Sequence, residues 1–122
     1  MILKPNRLAS SNFLSCLDMS SEEIKHILEL ANNFKNKSLH IELKDKVLGL
    51  IFDKSSTRTR VSFQVAMSRL GGSTIDLNPT TSQIGRGEPI KDTARVLSRY
   101  CDVLAIRTFN QSDLEEYSKW SS

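Results

Sequence analysis

The stretch that most constrains this chain is the run VLGLIF, Val47–Phe52, which passes through a polar turn straight into a helical pattern. Six consecutive apolar or small residues have the length and composition of a strand buried on both faces. The helix, from about Thr57 to Leu70, stops at Gly71-Gly72. The same order then recurs twice. Ser73–Leu77 reads as a second strand, followed by a polar loop, Asn78–Glu88, whose composition is that of an exposed, mobile segment. Pro89 suits the first position of the next helix, with Ile90, Ala94, Leu97 and Cys101 on its apolar side. Val103–Arg107 reads as a third strand. Ser112 with Glu115 forms a capping box, opening a helix with Leu114, Tyr117 and Trp120 on its apolar side. Strands alternating with helices at these lengths imply a parallel sheet. The expected fold is α/β, a three-layer sandwich whose sheet breaks off before its last strand.

Upstream, residues 1–19 are a mixed lead-in. Ser20 and Glu23 make a capping box, opening a helix with Ile24, Ile27, Leu28, Ala31 and Phe34 on one face and His26 on the solvated side. Lys44-Asp45-Lys46 reads as a turn before the first strand. The helix after that strand carries two apolar stripes: Phe63, Ala66, Met67 and Leu70, and, roughly opposite, Val61 and Val65. Either the second stripe meets another helix or subunit, or it packs under a neighbouring loop.

A chain of 122 residues is one domain at most. Its net charge of +3 comes from 17 basic and 14 acidic residues spread along the chain. Without a basic block or interleaved aromatics, nucleic-acid binding is not expected, whereas a small anion needs only a few convergent cations. Cys16 and Cys101 stand in no metal spacing. Free thiols in a reducing compartment are expected, with a disulfide as the alternative. His26 and His40 lack a partner at ligand spacing, so no metal site is expected. No stretch reaches the ~20 apolar residues of a membrane span. The N-terminus lacks a signal-peptide pattern, and a cytoplasmic location is expected.

The chemistry concentrates in Ser56-Thr57-Arg58-Thr59-Arg60, where strand feeds helix. Ligands in open α/β sheets bind at such places, and exposed N–H groups at a helix start favour an anion. The hydroxyls add donors, and Arg58 offers a planar fork for phosphate oxygens. One of Arg58 and Arg60 is expected to support the turn instead. The turn lacks the glycines of a P-loop or a dinucleotide fingerprint. The plainer reading is a good N-cap with two solvated arginines. Against it, arginines at a helix N-terminus oppose the dipole unless an anion is present. Arg107 reaches the same sheet edge from the third strand.

These residues also resemble a known family. FDKSSTRTRVSFQVAMSRLGG is similar to the carbamoyl phosphate motif of the aspartate and ornithine carbamoyltransferases, and SQIGRGEPIKDTARVLSRYCDVLAIRTF to the segment that follows it. The likeness runs in one register from about Ser20 to the end. Phe52-Asp53-Lys54 and Ile90–Leu97 resemble the ornithine branch. So does the 82–88 loop, where Arg86 is the sole basic residue and aspartate enzymes place a lysine. The resemblance implies a Rossmann-like sheet and places carbamoyl phosphate on Ser56, Thr57, Arg58, Thr59, Arg60, Gln83 and Arg107. Arg58, Thr59 and Arg107 would be catalytic, the last two at the carbonyl oxygen. Gln83 would enter a neighbouring subunit's site, which implies a homotrimer. No metal or organic cofactor is implied.

The family's H-P-x-Q segment and its ornithine-binding domain, with the D-x-x-x-S-M-G and H-C-L-P motifs, do not occur within residues 1–122. The expectation is therefore the carbamoyl phosphate-binding domain, incomplete at its C-terminus, of an ornithine carbamoyltransferase of arginine metabolism, inactive by itself. The alternatives are a non-catalytic stand-alone phosphate-binding module and an aspartate carbamoyltransferase fragment.

Overall fold

A computed structural model describes residues 8–78, 80, 82 and 86–121. The chain divides into two compact units, Met1–Ile41 and Glu42–Ser122. In the first, helix α1 spans Ser21–Lys35. Its expected box is present: Glu23 N–H donates to the Ser20 hydroxyl at 3.2 Å, and Ser20 N–H donates to the Glu23 carboxylate at 2.8 Å. The Ala9 N–H also donates to Glu23, at 2.7 Å. That bond, then those from Ser20, hold the Glu23 carboxyl below its ordinary value. A 3-10 turn at Cys16–Asp18, not foreseen, is capped in the same manner by Ser15 and Asp18. The expected polarity of α1 needs correcting. His26 is half-buried, on the stripe of Glu23 and Leu30, whereas Leu28 is 64% exposed. Glu23, tied to Ala9, marks the covered side of α1, and apolar spacing alone did not reveal it.

The second unit is built on a parallel sheet in the order β2-β1-β3. Strands β1 (Val47–Phe52), β2 (Ser73–Leu77) and β3 (Val103–Arg107) have the expected bounds. As the central strand, β1 must be covered on both faces, and its alternating side chains divide accordingly. Leu48, Leu50 and Phe52 pack with Met67 of α2 (Thr57–Arg69) and with Ala105. Ile51 packs the other way, against Ala94 of α3 (Ile90–Leu97) and Tyr117 of α4 (Gln111–Trp120). Leu50 and Ile51 are fully buried. Helices thus lie on both faces of a parallel sheet, the three-layer α/β arrangement expected. Burial pushes the Tyr117 phenol up to about 12, the charge of Asp53 adding to it. Among the described residues no helix is long and apolar enough to cross a membrane.

Short contacts fix the connections. The end of α2 is a Schellman motif: Gly71 N–H donates to Ser68 O (3.2 Å) and Gly72 N–H to Met67 O (2.9 Å). Gly71 has φ +78°, which a side chain disfavours. A Cβ on Gly72 would lie 3.2 Å from both the Leu43 and Lys46 carbonyl oxygens. At the start of the sheet Asp102 pins β1 beside β3. Its carboxylate accepts from Val47 N–H and Lys46 Nζ, each at 2.9 Å. Cys101 packs behind Gly49 and is a free thiol raised by burial, in keeping with the expected core role.

Three expectations about the helices change. The half-buried positions of α2 are Arg60, Gln64 and Met67, with the C-cap Leu70. Phe63 and Ala66 are exposed on one flank, Val61 and Val65 on the other. Met67 is what the sheet face receives, and an arginine shares its stripe. Pro89 is the N-cap of α3, its carbonyl accepting from Asp92 and Thr93. Helix α4 starts at Gln111 behind Asn110, so Ser112 and Glu115 do not form its cap. Thr108 Oγ1 donates to Asp113 at 3.0 Å and draws the helix start forward.

Candidate anion-binding site at the strand ends

Beyond the carboxyl ends of β1 and β3 the chain parts: β1 leads into α2 on one face, β3 into α4 on the other. Such a parting is a topological switch point, where a crevice opens. The first bond of α2 runs from Arg60 N–H to Ser56 O at 3.1 Å. The N–H groups of Thr57, Arg58 and Thr59 precede it and have no helical acceptor. The N-cap Ser56 makes no side-chain capping bond, and the first turn holds no acidic residue. Thr57, Arg58 and Thr59 are exposed, and Ser56 half-buried. Among the described residues the Arg58 guanidinium has neither a hydrogen-bond nor an ion-pair partner.

Arg60 differs. Its Nε lies 3.1 Å from Asp76 Oδ2 on β2, and its guanidinium sits 5.5 Å from the centre of the Phe52 ring. The Nε–Asp76 approach is ionic, since the N–H is not aligned for a hydrogen bond. Of the two arginines, this one supports the turn from within.

Arg107, at the end of β3, comes to the same place. Its Nη1 donates to Ser55 O at 3.3 Å, and its carbonyl accepts from Asp53 N–H at 2.8 Å. The strand ladder thereby continues one step beyond β1 and brings a guanidinium beside the turn. Ser56, Thr57, Arg58, Thr59 and Arg107 are thus assembled at one crevice. Gln83 lies outside the described residues. At the end of its loop Glu88 accepts from the buried Thr93 hydroxyl at 2.9 Å, anchoring that end on α3. Sequence reasoning passed over Ser55 and Phe109 at this crevice, and Asp76, which holds Arg60 behind the turn. For Ser55 and Phe109, only their place just past apolar strand ends could have signalled them.

Fold and site together define a class, a doubly wound α/β domain whose first strand-to-helix turn is equipped for an anion. Residues 11–122 match the carbamoyl-P binding domain of the aspartate/ornithine carbamoyltransferases, and the chain belongs to that family. An ornithine carbamoyltransferase of Prochlorococcus marinus subsp. pastoris is 77% identical over 121 residues, which are 99% of this chain and 39% of that relative. The chain therefore spans about two-fifths of the length of that curated relative. The crystal structure of ornithine carbamoyltransferase from Gloeobacter violaceus matches with a TM-score of 0.79 at 50% identity, over 89% of this chain and 35% of that one. An aspartate transcarbamoylase of Trypanosoma cruzi, in complex with N-(phosphonacetyl)-L-aspartic acid, matches with a TM-score of 0.77 at 31% identity, over 88% and 36%.

Proposed function

We propose that residues 1–122 are the carbamoyl phosphate-binding portion of an ornithine carbamoyltransferase, which converts carbamoyl phosphate and L-ornithine to L-citrulline and phosphate. The observation that carries the reading is the unpartnered Arg58 on an uncapped helix start, with the Arg107 guanidinium across the same crevice. Ser56, Thr57, Arg58 and Thr59 hold the phosphoryl group, and Arg60 keeps the turn in place through Asp76. The neutral δ-amine of ornithine attacks the carbamoyl carbon. Charge growing on the carbonyl oxygen is met by Thr59 and Arg107, an oxyanion site. The carbon–oxygen bond to phosphate then breaks, and phosphate leaves with that electron pair and the proton shed by the amine, its charge compensated by Arg58 and the helix start.

Ornithine is favoured over aspartate by 50% identity to a solved ornithine enzyme against 31% to the aspartate one. On this reading the ornithine-binding domain lies in the part of the relatives' length that this chain does not span. On this reading the full-length enzyme is a homotrimer in which Gln83 serves a neighbouring subunit's site, and the exposed Val61 and Val65 leave an apolar strip of α2 available for a neighbour. The two free cysteines fit a reducing, cytoplasmic setting, and the conversion of ornithine to citrulline places this reading in arginine metabolism.

Calorimetric titration of the chain with carbamoyl phosphate tests this. Saturable binding is expected, weakened about 10- to 100-fold by Arg58→Ala, since a charge-assisted hydrogen bond is lost. Equal affinity in the variant would remove Arg58 from the site.

A further inference from the structure

The two loops of the crevice are joined by more than the Arg107 hydrogen bond. Lys54 Nζ lies 4.4 Å from the centroid of the Phe109 ring, one partner from each loop. Lys54 stands two residues before Ser56, and Phe109 two residues after Arg107. Lys54 has no ion pair among the described residues. Phe109 is 67% exposed, so burial does not account for its position. Among the described residues, contacts from Asp53 to Arg107, from Ser55 to Arg107 and from Lys54 to Phe109 cross the crevice. Directly beyond them the chain departs to opposite faces of the sheet, where α2 and α4 cannot brace one another. Unlike the two contacts to Arg107, which use backbone groups, the Lys54–Phe109 pair joins the loops through side chains alone.

We propose that Lys54 and Phe109 form a cation–π clasp that sets the separation between the Ser56–Thr59 turn and the Arg107 guanidinium. They are positioning residues for a ligand that must reach both. This rests on the carbamoyl phosphate reading of the site. Carbamoyl phosphate engages the turn through its phosphoryl group and Arg107 through its carbonyl oxygen, whereas inorganic phosphate engages the turn alone. A loosened clasp therefore costs affinity for the first anion and spares the second. If Lys54 instead touched the anion directly, losing its charge would weaken both alike.

The test is titration of the full chain with carbamoyl phosphate and, separately, with inorganic phosphate. Lys54→Met and Phe109→Leu should each weaken carbamoyl phosphate by about two- to fivefold, the range of an exposed cation–π contact, and leave inorganic phosphate unchanged. Lys54→Arg and Phe109→Tyr should restore binding, and the double variant should be no weaker than either single one. The clasp is overturned if Lys54→Met weakens inorganic phosphate equally, or if Phe109→Leu leaves carbamoyl phosphate affinity as it was. A different result would sink the underlying reading and the clasp with it: an unsubstituted chain that binds neither anion, or an Arg58→Ala variant that binds both unchanged.

Discussion

Arg58 and Arg60 sit two residues apart on one helical turn, yet their surroundings give them opposite work. Arg58 projects from the exposed side of the turn without a partner among the described residues. Arg60 folds back over Phe52 toward Asp76, with 26% of its side chain exposed. Arg60→Met keeps much of the aliphatic stem and removes the charge. It should cost about 1 kcal/mol of stability, combining a partly buried surface ion pair with a cation–π contact, while Arg58→Ala should leave the thermal midpoint unchanged. Melting the two variants side by side checks this; a larger loss for Arg58→Ala would reverse the assignment. Alternation at a helix start made it legible in sequence that one arginine must turn inward. Which one was not, because Asp76 lies on a strand that only the parallel register brings beside it.

At the scale of elements, the strands were the most legible part of the chain. Apolar runs bounded by polar turns marked β1, β2 and β3 to the residue. The helices were less so, because a side chain's type does not say which stripe the sheet will cover. In α2 an arginine and a glutamine share the inner stripe with Met67, while Phe63 lies on a flank. The start of α4 was misread because Thr108–Asp113 outweighs an equally plausible Ser112–Glu115 pair. Nor was the pin at the foot of the sheet visible, since Asp102 meets Lys46 and Val47 from far along the chain.

That pin carries a pH signature. The hydrogen bond from Lys46 first, then that from Val47, hold the Asp102 carboxyl below its ordinary value. Its stabilising effect is complete above about 3.9, the usual aspartate value in an unfolded chain. It is lost as pH falls through the lower folded value. The hydrogen bond to Asp102 raises Lys46, so that contribution is present below about 10.4 and lost as pH climbs through the raised value. Asp102→Asn keeps an oxygen for Val47 N–H and removes the charge. It should lower stability at neutral pH and flatten the loss that sets in as pH falls below about 3.9, as read from urea melts along a pH series. Parallel curves for the two proteins would show that the pin is not electrostatic.

Among the described residues of the Glu42–Ser122 unit, positive charge without carboxylate partners gathers at two places. One is the crevice with Arg58 and Arg107. The other surrounds Trp120, where Lys91, Arg95 and Lys119 lie 4.5, 4.6 and 5.2 Å from the ring. None of these three has a carboxylate partner among the described residues. Charge alone therefore does not choose between the two. Uncapped N–H groups, clustered hydroxyls and the position at a switch point favour the crevice. A crystal structure of the chain grown with carbamoyl phosphate decides the matter most directly. The phosphoryl oxygens should lie about 2.7–3.2 Å from donors of Ser56–Thr59 and Arg58, with the carbonyl oxygen turned to Arg107. Carbamoyl phosphate seated among Lys91, Arg95 and Lys119, with the turn at Ser56–Arg60 left empty, would contradict the account.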